Sequence, residues 1–319
     1  MSIRIIDAEQ VRRLLPMAEC IDVMAEAMTA ASSGGVVQPL RTVLPVDDRG
    51  GQLFVMPAAS SSLGCYGAKL ISLTPANPGK GLPTIRGDYL LFEGDTGASI
   101  ALIDAASLTA IRTAAASGLA ARLLARADTT TCGIFGTGVQ ATTHVEAMRA
   151  VRAVREVRIW GRDPAKAKRL AQELRASTGL AVTAERDPAR VAACDLLCTV
   201  TAATRPILKG EWVRSGAHVS LVGAHTLADR EADTELVRRS RVYVDQLEAA
   251  RREAGDVMIP IQASSVAADH IRGEIGQVVT GAIEGRTSPD QVTLYKSVGI
   301  AAQDLFAARH IFSKAGRAG

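Results

Sequence analysis

The sequence predicts an α/β protein, with a Rossmann-type, doubly wound parallel sheet and a smaller β-rich α+β domain. Three observations support this fold class. The β-prone run at 131–135 passes through the glycine turn GTGVQA at 136–141 into a helical pattern. Strand-like and helical segments then alternate as far as residue 244, which is typical of parallel sheets. The first 103 residues contain several extended runs and no such turn.

The composition is that of a folded globular chain. Hydrophobic residues make up 47% of the 319 residues and charged residues 22%, and this length suggests two domains. The net charge of +4 comes without a dense basic run interleaved with aromatic residues, which argues against nucleic acid as a partner. We find no signal-peptide pattern and no apolar run of membrane-spanning length. We therefore expect a cytoplasmic protein that engages no membrane.

The five cysteines lack the spacing of a zinc site. Three of them, Cys132, Cys194 and Cys198, fall in apolar strand-like runs, as buried free thiols do. We expect reduced thiols and no metal site.

The N-terminal segment predicts a short strand and two helices, followed by extended runs. Asp7 caps the first helix, and Pro16 opens the second, which ends at 32–35. The extended runs are 36–46 and 52–56, which flank the hairpin turn 47–51, and then 67–73, 89–92 and 99–103.

Lys69 stands out in the run 67–73 because alternation places it on the same strand face as Ile71 and Leu73. A lysine on an apolar face is costly unless it lies at an edge, extends its amine to solvent, or meets an anion.

Arg112 stands out for a similar reason. Asp104 caps a helix that we predict over 105–127, and Arg112 is the only charged residue between 105 and 121. An arginine cannot shed its charge, so it requires an anionic partner there. That partner is either a bound anion or a structural carboxylate of the protein.

The glycine turn at 136–141 is typical of dinucleotide binding. Gly136 allows the turn, Gly138 lets the backbone approach a pyrophosphate, and Ala141 allows close packing of helix on strand. The segments predicted after it are the strands 157–160, 182–184, 195–201, 218–222 and 242–244, the helix 164–178, the extended run 292–295 and a C-terminal helix.

The tip of the second strand of this domain, at 159–162, favours NADP(H) over NAD(H). Gly161 and Arg162 stand where an acidic residue would bind a ribose hydroxyl, and Arg162, with help from Lys166, can pair with a 2′-phosphate. Asp163 keeps NAD(H) open as a cofactor. It could instead cap the helix that begins at Pro164.

Several segments resemble the ornithine cyclodeaminase and mu-crystallin family. They are GAKLISL (67–73), LPTIRGDYLLFEGDTG (82–97), LTAIRTAAASGLAA (108–121), GTGVQA (136–141), EAGDVMIPI (253–261) and GRTSPDQVTLYKSVGIAAQDL (285–305). The resemblance covers nearly the whole chain in order. It implies a homodimer built mainly through the β-rich domain, with active sites between the two domains. The implied domains are 1–125 with 292–319 for substrate binding and dimerisation, and 126–291 for the dinucleotide.

The resemblance also assigns roles to individual residues. It places Arg41, Lys69 and Arg112 in the cluster that binds the substrate carboxylate, and it adds cofactor-proximal positions. The resulting predicted cofactor set is Thr84, Arg112, Gly136, Gly138, Val139, Gln140, Gly161, Arg162, Lys166, Thr201 and Val222.

The chain departs from the family's cyclodeaminases in the loop after the predicted strand 218–222. Those enzymes carry an aspartate there that acts on the substrate's amino group. In this chain His225 stands at or beside that place, Asp229 is the only nearby carboxylate, and Leu227 replaces a proline. These departures favour the reductase branch of the family.

The sequence therefore predicts NADPH-dependent reduction of a small cyclic imino acid, Δ1-pyrroline-2-carboxylate or Δ1-piperideine-2-carboxylate, to the L-amino acid. Arg41 and Arg112 would clamp the carboxylate. Lys69 either protonates the imine or acts only through its charge, and His225 either relays protons or makes a cofactor or loop contact. The alternatives are an ornithine cyclodeaminase, an alanine dehydrogenase, a hydroxyproline dehydratase and a crystallin-like protein that binds NADPH without turnover.

Overall fold

The computed structural model describes residues 3–317, which fall into two compact units. One unit comprises the described residues up to Thr113 together with those from Gly299 onward. The other is Ala114–Val298. The division therefore falls within the helix predicted over 105–127, and earlier than the expected boundary after residue 125.

The elements, in chain order, are β1 (Arg4–Ile6), α1 (Ala8–Leu14), α2 (Met17–Ser32), β2 (Thr42–Pro45), β3 (Gln52–Ser60), β4 (Cys65–Leu73), a 3-10 helix (Asn77–Lys80), β5 (Ile85–Glu93), β6 (Ser99–Asp104), α3 (Ala105–Leu124), β7 (Thr131–Phe135), α4 (Val139–Val151), β8 (Glu156–Trp160), α5 (Pro164–Thr178), β9 (Ala181–Ala184), α6 (Pro188–Ala192), β10 (Leu196–Thr199), a second 3-10 helix (Gly210–Trp212), β11 (His218–Leu221), α7 (Thr234–Arg239), β12 (Ser240–Val244), α8 (Leu247–Glu253), α9 (Gly255–Gln262), β13 (Ile271–Glu274), α10 (Ile275–Val279), β14 (Val292–Lys296) and α11 (Ala301–Arg317).

The first unit is built on a six-stranded sheet in the order β1-β6-β5-β4-β3-β2. Its strands are antiparallel except for the parallel pair β1 and β6. The predicted hairpin forms, but its first strand begins only at Thr42, and before it Val37 makes a single bridge to Ala59. The intervening Pro39 has no N–H to donate to a ladder, which accounts for the late start.

Helix α11 covers one face of this sheet, packing on β3, β4 and β5, and α2 packs against α11. Along β4, side chains alternate between buried and more exposed, and Lys69 is on the buried face with Ile71, as predicted. In the sheet register Lys69 lies between Met56 of β3 and Tyr89 of β5. The lysine therefore lies in the centre of the sheet. Neither an edge position nor contact with solvent offsets the cost of burying its charge.

The second unit confirms the predicted parallel sheet. Eight strands lie in the order β13-β12-β14-β11-β10-β7-β8-β9, and every pair is parallel. Strand β14 corrects the expected domain boundary at 291/292, because it is inserted between β11 and β12 and belongs to this sheet. Only the chain from Gly299 returns to the first unit.

Within residues 3–317, no helix is long and apolar enough to span a bilayer.

Candidate active site

A buried cluster of two cations and one carboxylate lies in the first unit. Lys69 Nζ donates to Asp304 Oδ2 at 2.8 Å, and Arg112 Nε donates to Asp304 Oδ1 at 2.9 Å. Lys69 and Asp304 are fully buried, and Arg112 is 5% exposed. Strand β4 supplies the lysine, α3 the arginine and α11 the carboxylate, so the three elements converge at this point of the unit.

The first turn of α11 and the residues before it organise the guanidinium groups. Arg112 Nη1 donates to Gln303 Oε1 at 2.6 Å, and Arg41 Nη2 donates to the carbonyl oxygen of Gly299 at 2.8 Å. Gly299 has φ of +79°, and a Cβ there would lie 2.9 Å from Arg112 Nη1, so backbone and guanidinium approach closely. Arg41 is therefore brought beside the same turn as Arg112.

Burial and charge set the protonation of this cluster. Burial, followed by repulsion from Arg112, lowers the pKa of Lys69 to about 7, although Asp304 acts in the opposite direction. Burial would raise the pKa of Asp304, but Arg112 and Lys69 outweigh it and hold that pKa below its usual range. Lys69 can therefore exchange a proton near neutral pH, while Asp304 remains an anion.

Asp304 belongs to this cluster but is not singled out by the sequence. We expected an anionic partner for Arg112, and Asp304 fills that place for Arg112 and Lys69 together. A signal was available, because Asp304 falls next to Leu305 on a helix face that also carries Ala301 and Ala308, all of them buried. A carboxylate on an apolar helix face needs a cation, as Lys69 and Arg112 needed an anion.

The glycine turn of the second unit is open on the side that a ligand would use. A Cβ on Gly136, which has φ of +136°, would lie 2.8 Å from Val200, whereas among residues 3–317 none but the chain neighbours of Gly138 lies within 4 Å of a Cβ there. Within the described part of the chain, no side chain caps the N-terminus of α4 and the buried Oε1 of Gln140 has no hydrogen-bond partner. Val139 is 69% exposed. The open turn and the free N–H groups at the start of α4 are the donors that a pyrophosphate would meet.

At the tip of β8, Arg162 and Lys166 are exposed, and neither side chain forms an ion pair within residues 3–317. Asp163 caps α5, its Oδ1 accepting from Ala165 N at 2.9 Å and from Lys166 N at 3.2 Å. The capping role is therefore confirmed for Asp163. A Cβ on Gly161 would lie 2.6 Å from Thr137 Cγ2, so any larger residue there would have to displace the Thr137 side chain.

Two of the predicted residues lie where β10 and β11 end. The Thr201 hydroxyl donates to Glu231 Oε1 at 2.6 Å, so its proton is already engaged within the protein. Val222 directly follows β11 and is half-buried. His225 Nδ1 lies 3.2 Å from the carbonyl oxygen of Gly223, which makes a loop hydrogen bond one of its roles.

A profile of the ornithine cyclodeaminase/mu-crystallin family matches residues 3–318. The chain belongs to this family. It is 37% identical to the ketimine reductase mu-crystallin of Mus musculus over 279 residues, covering 88% of this chain and 85% of the relative. It is also similar to Thermococcus litoralis Δ1-pyrroline-2-carboxylate reductase in complex with NADH and L-proline, with a TM-score of 0.96, 34% identity and coverage of 99% and 98%. An archaeal alanine dehydrogenase dimer with bound NAD matches with a TM-score of 0.93, 30% identity and coverage of 100% and 97%.

Because the chain belongs to this family, its loop after β11 can be compared with the loop that carries an aspartate in the family's cyclodeaminases. Asp229, the nearby carboxylate, accepts from the Thr226 hydroxyl at 2.7 Å, and its backbone N–H donates back to that hydroxyl at 3.2 Å. Asp229 thus closes a local turn of its own loop. Thr84, another residue taken from the family, is half-buried just before β5, and its carbonyl oxygen accepts from Thr74 N at 2.8 Å.

Proposed function

We propose that this chain reduces a small cyclic imino acid, Δ1-pyrroline-2-carboxylate or Δ1-piperideine-2-carboxylate, to the L-amino acid, using NADPH in preference to NADH. One observation carries the proposal. Lys69, Arg112 and Arg41 gather beside one turn of α11, and Asp304 is the carboxylate that Lys69 and Arg112 share. The excess of positive charge suits a ligand that brings a carboxylate.

The relatives support the chemistry. They are reductases and dehydrogenases of imino and amino acids, and this chain is an NAD(P)H-dependent oxidoreductase of that kind. The narrower choice of a five- or six-membered cyclic ketimine is our proposal. It draws on the similarity to the reductases named above. It also draws on the loop after β11, where His225 stands at or beside the place of the aspartate that the family's cyclodeaminases use, and where Asp229 is engaged in a turn of its own loop.

The residues of the second unit fit a dinucleotide. We assign the pyrophosphate to the turn at Gly136 and Gly138, where the open side of Gly138 and the uncapped N-terminus of α4 offer backbone N–H groups. The preference for NADPH rests on Arg162 at the tip of β8 and Lys166 in the first turn of α5, both exposed and neither in an ion pair with residues 3–317. Thr201 and Val222 lie just after the ends of β10 and β11 in the same sheet.

With a reduced nicotinamide bound, the hydride for the carbon of the C=N bond would come from the cofactor. The protein's own residues hold the substrate and supply the proton. Arg41 and Arg112 fix the plane of the substrate carboxylate, so most of the rate enhancement comes from positioning. Lys69 Nζ gives a proton to the imine nitrogen, and its pKa of about 7 suits that transfer. Asp304 keeps the lysine in place and retains its own negative charge throughout.

We propose that the protein is a homodimer built through the uncovered face of the six-stranded sheet. Tyr66 and Leu70 of β4 are exposed at 37% and 42% on the face opposite Lys69. Tyr66 stacks on Phe92 with ring centroids 5.0 Å apart. Apolar side chains spread over a sheet face are typical of an interface between subunits.

The proposal is tested by following the absorbance of the reduced cofactor at 340 nm with purified protein. NADPH and NADH are each offered with Δ1-pyrroline-2-carboxylate, Δ1-piperideine-2-carboxylate, or pyruvate plus ammonia. We expect rapid oxidation of NADPH with a cyclic substrate and slower oxidation of NADH. Oxidation only with pyruvate and ammonia would replace the proposal with alanine dehydrogenation. Conversion of ornithine without net oxidation or reduction would replace it with cyclodeamination.

A further inference from the structure

Three charged side chains of the second unit form a buried network outside the predicted catalytic and cofactor sets. Glu231, Asp256 and Lys296 each have 0% exposure. Lys296 Nζ lies 3.0 Å from Asp256 Oδ2. Lys296 is the last residue of β14, the strand that the sheet inserts beside β11. The network therefore lies at the carboxyl end of the parallel strands.

Glu231 ties the ends of two neighbouring strands to each other. Its carboxylate accepts from Thr199 Oγ1 at 2.7 Å, Thr201 N at 2.8 Å, Thr201 Oγ1 at 2.6 Å and Gly223 N at 2.7 Å. The threonines belong to the end of β10, and Gly223 follows β11. A Cβ on Gly223 would lie 2.0 Å from the carbonyl oxygen of Thr201, so the two loops are in direct contact. Four donors fill the acceptor capacity of one carboxylate.

Lys296 and Asp256 extend the network to the residues on either side of Glu231. Lys296 Nζ donates to the carbonyl oxygen of Ala224 at 2.6 Å, one residue before His225. Asp256 Oδ1 accepts from the backbone N–H groups of Glu231 and Ala232 at 2.6 and 2.9 Å. The lysine thus fixes the loop that carries His225, and the aspartate fixes the backbone from which Glu231 projects.

Stability alone is a weak reason for such a network. Buried ion pairs are often no more stabilising than apolar residues of the same volume, because desolvation offsets the attraction. Position is a better reason. In open parallel sheets ligands bind at the carboxyl ends of the strands, and the network ties the segments that follow β10 and β11 to the last residue of β14 at those ends.

We propose that Glu231, held by Asp256 and Lys296, is a positioning residue that sets the backbone at Thr201 and at Gly223–His225 for binding of the dinucleotide. It acts through these loops and does not touch the cofactor itself. This role rests on the proposed function. It goes further by assigning dinucleotide affinity to residues buried beneath the loops and absent from the predicted site.

The test compares wild type with Glu231→Gln by titrating each protein with NADPH and following nucleotide fluorescence. The Glu231 carboxylate accepts hydrogen bonds from four N–H or O–H groups. A glutamine would turn its own NH2 group toward one of these donors, so one hydrogen bond is lost. We expect the Kd for NADPH to rise at least about tenfold. In the ligand-free protein, amide exchange at 199–203 and 222–226 should become faster. Thr199→Val removes a single hydrogen bond, and a rise of about threefold is expected.

Asp195 provides a matched control in the same sheet. It directly precedes β10 and therefore lies at the amino ends of the strands, whereas Glu231 lies at their carboxyl ends. Its carboxylate is also buried and accepts from Thr130 N, Thr131 N and Thr131 Oγ1 at 3.2, 3.2 and 2.8 Å. Asp195→Asn should lower the melting temperature and leave the Kd for NADPH within twofold of wild type. If Glu231 had only a structural role, Glu231→Gln would show this same pattern, with a lower melting temperature and a Kd for NADPH within twofold of wild type.

The outcomes separate the two proposals. If wild type binds NADPH and Glu231→Gln binds it equally well, the positioning role is wrong and the proposed function stands. A Kd that rises as much in Asp195→Asn as in Glu231→Gln would also overturn it. If Glu231→Gln does not fold, Thr199→Val decides, and an unchanged Kd there counts against the proposal. A wild-type protein that binds no dinucleotide would refute both.

Discussion

Lys69 of the central strand β4 and Asp304 of the C-terminal helix α11 are joined by a hydrogen bond of 2.8 Å, and both side chains are fully buried. The same carboxylate holds Arg112. One anion therefore keeps two buried cations in place, and neither cation needs a bound ligand for the unit to fold. This arrangement permits a site that is formed before substrate arrives and remains positive enough to attract a carboxylate.

Removing the shared carboxylate should destabilise the fold. Asp304→Asn leaves Lys69 and Arg112 buried without their anion, and we expect the free energy of unfolding to fall by about 3–5 kcal/mol. Urea denaturation measures this loss. Glu235→Gln, which breaks the exposed pair of Glu235 with Arg238, is the control and should stay close to wild type. Equal stability of Asp304→Asn and wild type would show that the cluster does not need its anion.

The activity should depend on pH through Lys69. Its pKa is about 7, and only the protonated amine can donate, so kcat/KM for the imino acid should fall as the pH rises above about 7. The profile of kcat/KM between pH 5.5 and 9 reports this group in the free enzyme. Lys69→Met should abolish most of the activity.

His225 is the competing proton source, and a matched variant distinguishes it. If Lys69 donates the proton, His225→Asn keeps the decline above about pH 7. If the decline disappears in His225→Asn, the histidine is the donor and the role assigned to Lys69 is wrong.

Arg41 should act on substrate binding with little effect on the fold. It is half-buried and donates to the Gly299 carbonyl oxygen, so its loss leaves no buried carboxylate unpaired through that contact. In Arg41→Gln we expect the KM for the imino acid to rise about 10- to 100-fold, the range for a lost charged hydrogen bond. The Kd for NADPH should not change. Arg49→Gln, on the exposed hairpin turn, is the control. An equal KM in both variants would show that Arg41 does not bind the substrate carboxylate.

Arg162 should determine the choice between the two dinucleotides. Arg162→Gln removes the exposed guanidinium at the tip of β8, and we expect the Kd for NADPH to rise about tenfold while the Kd for NADH stays constant. Isothermal titration with each dinucleotide measures both values. Arg169→Gln on the exposed side of α5 controls for general loss of charge. Parallel changes for NADPH and NADH would mean that Arg162 does not contact a 2′-phosphate.

The uncovered sheet face should hold two subunits together. Leu70→Glu places a charge on the same sheet face as the stacked pair Tyr66 and Phe92, and burying that charge in an interface is costly. Light scattering coupled to size exclusion should report a dimer for wild type and a monomer for the variant. Leu227→Glu, in the loop after β11, should remain dimeric. A Leu70→Glu protein that stays dimeric would place the interface elsewhere.

Much of the fold could be predicted because its signals are local. The glycine turn between β7 and α4 and the helix Pro164–Thr178 were expected from short stretches of sequence, and both formed as expected. The short helices α6 and α10, of five residues each, were not predicted, because such lengths carry too little periodicity to be distinguished from turns. Strand β14 was assigned to the wrong unit, since its neighbours β11 and β12 are set by pairing between distant parts of the chain.

The same distinction applies to the site. Lys69 and Arg112 could be singled out because a charge in an apolar stretch is visible in the sequence itself. Asp304 could not be paired with them, because it lies 192 residues from Arg112 in the chain. Glu231, Asp256 and Lys296 were passed over for a related reason, since their mutual contacts join α9, β14 and the loop before α7.

The most direct test of the central claim is to follow the hydride itself. Δ1-Pyrroline-2-carboxylate is incubated with the protein and NADPH carrying deuterium at the transferred C4 position, and the proline formed is analysed by mass spectrometry and proton NMR. We predict L-proline with one deuterium, located at C2, in a yield equal to the NADPH consumed. Proline without deuterium, or NADPH loss without proline, would contradict the account.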